Sequence, residues 1–453
     1  MTEGFTRSLK LLDAVIINLG AIIGAGIFVI IGISAGLAGP AVILSIPLAA
    51  LVAIFTGISF SQIARHVDKE GGTYEYGKES LSPFAGFLGG TLWTFGNIVA
   101  LSAVSISFGG YLDEVLDSRF PAIFIGVGVI MMFAILNALG IKNSAKTLRA
   151  IVMVNLAILI LFTVFGLFFF KPSHFSDFLM RGPEGIISGG AVIFFAFSGF
   201  SRVTTVSEEV INPERTIPLA IIISILISAV LYFLITLSAI GLATPGELAS
   251  STSPLALAAS RTGLIWLGLA VSIGALVATS GVILTGMLGT SRVLYAMARD
   301  GELPRRISYL DRYSTPLVAI VISMLLAILM LPAASFGTIV ESSNACVISA
   351  YSIINIAALK VHMKYRKSRY RGGALLGRDW FIAVPVCGIS TIALFFAFLG
   401  TESMIIAALV AVASATIYEI NTVIRGSHGP VPSRSRVRLF GKSREKMENA
   451  EVK

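Results

Sequence analysis

Apolar residues along this chain fall in long unbroken runs, not in alternation with polar ones. Runs near 11–37, 40–64, 83–112, 120–140, 147–170, 186–208, 217–243, 263–291, 315–334, 337–359, 380–400 and 403–424 carry little charge. Each is about the 20 residues a helix needs to cross the hydrocarbon core of a bilayer. The strands of a membrane barrel would alternate apolar and polar positions, and these do not. Helices are then the remaining way to satisfy every backbone group in lipid. The pattern predicts an all-α membrane protein with twelve transmembrane helices. The first run is longer than a signal peptide and follows a start containing Glu3, so it is expected to remain as a span.

Composition agrees. Of 453 residues, 55% are hydrophobic and 13% charged, with a mean hydropathy of +0.88; a soluble domain carries about 25% charged residues. A soluble globule, a disordered chain, a disulfide scaffold and a coiled coil are excluded. The net charge of +9 would suggest nucleic acid, but its distribution does not. With an even number of spans both termini share a side, and 29 of the 34 Lys and Arg fall there. Four (Arg119, Lys171, Arg181, Arg261) fall on the other side, and Arg202 lies inside a span. The positive-inside bias puts both termini in the cytoplasm of a multi-pass cell-membrane protein, in contact with membrane lipid and not with nucleic acid. Residues 1–424 then form the membrane domain, and 425–453 a basic cytoplasmic tail expected to be disordered. Cys346 and Cys387 lie in apolar runs and read as small core residues. No His, Cys or carboxylate group has metal-ligand spacing, so no metal or cofactor is expected. Loops are short, which leaves no room for a soluble catalytic domain, and no enzyme activity is expected.

Two runs carry helix-weakening residues at mid-depth. The first contains Gly20, Gly24 and Gly26, with Ile22, Ile23 and Ala25 between them; the sixth contains Phe195-Ala196-Phe197-Ser198-Gly199-Phe200-Ser201. Each glycine costs a helix about 1 kcal/mol against alanine. Close packing of small residues would explain either run alone. Both together open the first and sixth runs, where two inverted repeats of five spans (about 11–170 and 186–360, with 380–424 added) would place matching breaks. Matching breaks in two halves mark a transporter's binding site. Free N–H groups at a half-helix start attract a carboxylate, and free C=O groups at a half-helix end attract an ammonium. An amino acid offers both.

These residues resemble the amino acid–polyamine–organocation (APC) transporter family, which has the LeuT-type fold. Gly24-Ala25-Gly26-Ile27-Phe28 looks like the family's helix 1 motif, and Gly71-Gly72-Thr73-Tyr74 with Ser82-Pro83-Phe84 is similar to the stretch after helix 2. Phe195-Ala196-Phe197-Ser198-Gly199 resembles the helix 6 break, and Glu208-Glu209-Val210-Ile211-Asn212-Pro213 the cytoplasmic segment after it. Tyr295 through Pro304 matches the end of helix 8. The resemblance implies an amino acid permease with discontinuous helices 1 and 6, working by alternating access. It implies that amides near Ala25 and Gly26, flanked by Ile23 and Gly24, hold the substrate carboxylate, and that carbonyls near Ile22, Phe195, Ala196 and Ser198 hold its amine. Phe195 and Phe197 become gate candidates, with plain helix packing as the alternative. Glu208 and Glu209 become inner-gate candidates, with a solvated helix end as the alternative. Pocket walls are expected from helices 3, 8 and 10, with Thr279, Ser280 and Asn344 as polar candidates.

Coupling is left open. Where proton-coupled relatives carry a helix 5 lysine this chain has Asn155, and where some exchangers carry an acid after the helix 6 glycine it has Ser201. Thr279 and Ser280 could serve a sodium site or bond their own helix. A proton, sodium or a counter-exchanged amino acid all stay open as partners. The lack of ionisable residues in the middle of runs 3, 5 and 8 favours a neutral amino acid over a cationic one or a polyamine, and short loops argue against a non-transporting sensor. Arg202 stands seven residues before Glu209, on the same face of an α-helix. It reads as a partner of Glu208 or Glu209, as snorkelling to the cytoplasm, or as a gate of the inner vestibule.

Overall fold

The computed structural model describes residues 7–24, 26–116, 120–311, 313–332, 336–365 and 380–426. Ala25, Arg119 and the tail from residue 427 lie outside them. The described residues form helices α1 (Leu11–Ile22), α2 (Ile31–Ala38), α3 (Val42–Ala64), α4 (Thr73–Ser80), α5 (Pro83–Leu116), α6 (Ala122–Ala138), α7 (Ile141–Phe168) and α8 (Gly182–Phe197). The second half adds α9 (Pro213–Leu242), α10 (Pro245–Ser250), α11 (Pro254–Ser260), α12 (Ile265–Arg299), α13 (Leu317–Met330), α14 (Phe336–Tyr365), α15 (Trp380–Ala397) and α16 (Thr401–Gly426). Among these residues there is no strand, only a parallel bridge between Leu9 and Val210. Three backbone bonds hold it: Ser8 and Leu9 N–H donate to the Glu209 carbonyl, and Ile211 N–H to the Leu9 carbonyl.

Among the described residues, eight helical runs are long and apolar enough to cross a membrane, and three shorter apolar helices accompany them, at 122–138, 317–330 and 382–397. One of the eight, Leu11–Ala64, holds 54 residues and spans α1 to α3. It turns at Gly39, whose φ of +63° only glycine adopts easily, followed by Pro40. Many large apolar side chains stand on the outer surface. Only 17% of the most apolar stretch of Thr401–Val423 is buried, and Val412 and Val423 stand exposed on it. Cys387 is exposed too, so the expectation that both cysteines are core residues holds only for Cys346.

The glycines of the loop motif have a backbone reason. Gly71 and Gly72 sit at φ +122° and +51° and turn the chain into α4. Asn212 is left-handed at φ +51°, and Pro213 then starts α9 at the position where a missing N–H costs nothing. Long α5 packs against α12 and α14, while α3 packs against α8 and α9, and α1 against α9. The two interruptions lie where these groups meet.

Candidate functional site

The first interruption is a true break. Ile23 has extended dihedrals (φ −80°, ψ 91°) after α1, and the chain resumes as a π-helical turn, Gly26–Ile30. The second is not an open break. Past Phe197 the chain tightens into a 3₁₀-helix, Ser198–Glu209, with one non-helical residue, Val206. Twelve residues is long for this conformation, and such stretches mark hinges or strain. The sequence supplies the cause: Thr204, Thr205 and Ser207 each donate to the carbonyl three residues back, at 2.7–2.8 Å.

The interruptions touch each other reciprocally through glycine. A Cβ at Gly26 would lie 2.7 Å from Ala196 Cα, and one at Gly199 would lie 2.5 Å from the Ala21 carbonyl oxygen. Hydroxyl and amide side chains serve the backbone groups that helix geometry leaves free. Tyr232 of α9 donates to the Ile22 carbonyl at 2.7 Å and to the Ala196 carbonyl at 3.3 Å, so one hydroxyl spans both interruptions. Ser198 donates to the Phe195 carbonyl (2.8 Å), and Tyr351 to the Ser198 carbonyl (2.6 Å). The carbonyls expected to receive an amine thus already accept a hydroxyl, leaving one lone pair each. Replacing Tyr232 with Phe should cost about 1–3 kcal/mol, the penalty for leaving buried acceptors unserved. It should appear as a lower melting temperature of the detergent-purified protein; no change would mean the bridge is idle.

A cavity opens between these elements. Ala21, Ile22 and Gly26 line it from the first interruption, and Phe195, Ala196, Ser198 and Arg202 from the second. Asn97, Ala100, Leu101 and Val104 of α5 and Val282 and Gly286 of α12 complete it. A water's centre can occupy only about 20 Å³ of it, room for one or two waters, so an amino acid enters only if the walls part. Five of the expected binding residues, Ile22, Gly26, Phe195, Ala196 and Ser198, meet here. Gly24 instead packs on Val282 and the Ala278 carbonyl of α12. The Ile23 carbonyl accepts a bond from Asn155 at 3.4 Å.

The structure places the remaining candidates as follows. Phe197 does not line the cavity: it is fully buried and packs edge-on against Tyr232, ring centroids 5.2 Å apart. Thr279 and Ser280 donate to carbonyls of their own helix. Asn344 donates to the Ala191 and Val192 carbonyls of α8 and supplies no cavity wall. Ser201 bonds the Tyr351 hydroxyl at 2.8 Å. Arg202 reaches neither Glu208 nor Glu209 and does not snorkel; it is 4% exposed and lies 4.9 Å over the Trp93 ring, with Nη2 donating to Asn97 Oδ1 at 2.6 Å.

The two glutamates work elsewhere. Arg292 Nε lies 3.1 Å from Glu209 and 3.7 Å from Glu70, and Arg299 pairs with Glu208. The backbone N–H of Glu70 also donates to Glu208 at 3.1 Å, while Tyr74 donates to Asp300 at 2.9 Å. Three motifs far apart in sequence, the loop before α4, the end of the 3₁₀ segment and the end of α12, close on one another here. Burial pushes the Glu70 carboxyl up, and the Glu209 charge adds to this while Arg292 opposes it.

Residues 9–427 match the sequence profile of the family described as Amino acid permease. The chain belongs to that family. An uncharacterized transporter of Mycobacterium tuberculosis is 35% identical over 80% of this chain and 82% of its own length. A branched-chain amino acid permease and a methylthioribose transporter, both of Bacillus subtilis, are each 28% identical over 80% of this chain, covering 82% and 83% of their own lengths. The permease fold and its apolar helices make this a multi-pass membrane protein with a small-molecule amino acid substrate class. Sequence reasoning missed four elements of its cavity region: Asn97, Tyr232, Tyr351 and the apolar wall from α5. An isolated polar residue in an apolar run, such as Asn97, was the available signal.

Proposed function

We propose that the permease carries an amino acid across the cell membrane by alternating access. The observation that carries this reading is the cavity lined from both interruptions at once. The substrate carboxylate sits at the amides from Gly26 onward, which begin a new helical segment and have no intrahelical acceptor. Its ammonium sits at the remaining lone pairs of the Ile22, Phe195 and Ser198 carbonyls. Phe195, in the cavity wall, closes over it. Glu208 and Glu209, held by Arg299 and Arg292, keep the inner side shut.

The fold behind this reading has twelve crossings. The 54-residue run is far longer than one crossing and counts as two, and the three shorter apolar helices complete the set. Two inverted five-span repeats hold the interruptions, two further spans follow, and both termini face the cytoplasm. Ala100, Leu101, Val104 and Val282 give the cavity an apolar wall, which taken alone favours a neutral side chain. No carboxylate lines it among the described residues, which counts against a cationic amino acid or a polyamine.

The test is uptake into proteoliposomes, loaded or unloaded with amino acid, with sodium and proton gradients imposed separately. Accumulation that needs internal amino acid identifies exchange; accumulation driven by one gradient identifies its ion. If no amino acid is taken up in any of these conditions, the transport reading fails.

A further inference from the structure

Among the described residues Arg202 carries the only charge in the cavity wall, and its surroundings are built for it. Trp93 offers the face of its ring. Asn97 is oriented: its Nδ2 donates to the Trp93 carbonyl at 2.8 Å, which turns Oδ1 toward the guanidinium. Gly289 of α12 makes room, since a Cβ there would collide with Nη1. Yet Nε and Nη1 are buried with no hydrogen-bond acceptor, and among the described residues no carboxylate pairs with the side chain. A guanidinium keeps its proton at any working pH. Unpaired charge at membrane depth is expensive, and where it is kept it marks a ligand or a path.

A neutral amino acid leaves this charge uncompensated, because its own charges cancel. Its α-carboxylate also has donors at the start of the Gly26 segment. A second carboxylate, on the substrate's side chain, supplies what is lacking: an acceptor for Nε or for Nη1, which point to opposite sides of the guanidinium, and a loaded cavity of zero net charge. Guanidinium–carboxylate bonds are also among the strongest a protein makes. We propose that Arg202 receives the side-chain carboxylate of an acidic amino acid, so that the substrate class includes aspartate or glutamate. This rests on the transport reading and replaces its neutral substrate preference. The apolar wall then faces the methylene groups, with Arg202 at the far end.

The experiment is competition between isosteric pairs in proteoliposomes of the full chain: glutamate against glutamine, and aspartate against asparagine. It is run with the wild type and with Arg202→Gln and Arg202→Lys, in chloride and in sulfate. The expected result is a preference of about tenfold or more for one acid over its amide in the wild type. That ratio should collapse in Arg202→Gln and survive in part in Arg202→Lys. The wild-type ratio needs no variant and decides the matter even if both variants misfold. Equal handling of acid and amide overturns the inference while leaving transport standing. So does neutral amino acid uptake that requires chloride, since the anion at Arg202 would then be inorganic. Uptake of no amino acid at all would defeat the transport reading, and this inference with it.

Discussion

Replacing Arg292 with Met should be among the most damaging single changes to this protein, costing about 3–5 kcal/mol, the usual result of removing one partner from a buried ion pair. Arg292 is 1% exposed and the carboxylates it faces, Glu209 and Glu70, are 3% and 0% exposed. Without the guanidinium they repel each other in a medium that solvates neither. The loss should depend on pH. Glu70 is already held above its ordinary value of 4.5 by burial and by the Glu209 charge, with Arg292 pulling the other way. A carboxyl raised in this manner favours the folded state at low pH, and that contribution fades as pH climbs through the raised value. Removing Arg292 raises it further, so the variant should come closest to wild type near pH 5 and fall furthest behind near pH 8. Thermal melts of the detergent-purified variant across that range measure it. A deficit that is small, or equally large at every pH, would mean that the network does not hold these three motifs together.

Gly199→Val should be as severe by a different route. The new Cβ would press on the carbonyl carbon and oxygen of Ala21, which are backbone and cannot rotate away. Overpacking costs about 1–3 kcal/mol where side chains yield, and more where they cannot. The expected outcome is a permease that fails to accumulate in folded form, scored by size-exclusion profile of detergent extracts. Gly26→Val would act likewise through Ala196, by helix packing and not by filling the cavity. Gly128→Val is the matched control, since a Cβ there meets nothing within 4 Å. If Gly199→Val extracts as well as Gly128→Val, the crossing of the two interruptions is not tight.

The helical runs were legible because lipid-facing and core-facing positions are both apolar, so each element shows as unbroken hydrophobicity. The interruptions were legible because glycine weakens a helix wherever it stands. What touches them was not. Tyr232 lies 210 residues from Ile22 and Tyr351 lies 153 from Ser198, and nothing local marks either tyrosine as a partner. Phe195 and Phe197 looked equivalent in sequence, but two residues turn a helix by about 200°, so one faces the cavity and the other faces Tyr232. Arg202 failed for a reason of pitch. Seven residues make two turns of an α-helix but two and a third turns of a 3₁₀-helix. The segment takes the second form, and the expected alignment with Glu209 is lost.

The bridge between Leu9 and Val210 has a consequence for the order in which the protein is made. A chain leaves the ribosome from its N-terminus, so Leu9 emerges long before the segment it must pair with. Its partners, the Glu209 carbonyl and the Ile211 amide, come two hundred residues later. Arg7 can meet Asp68 early, but the Ser8 and Leu9 backbone therefore waits for its bridge partners while everything through the second interruption is synthesised. The bridge closes only once the end of that interruption has been made, so Ser8 and Leu9, made early, close one of the later contacts.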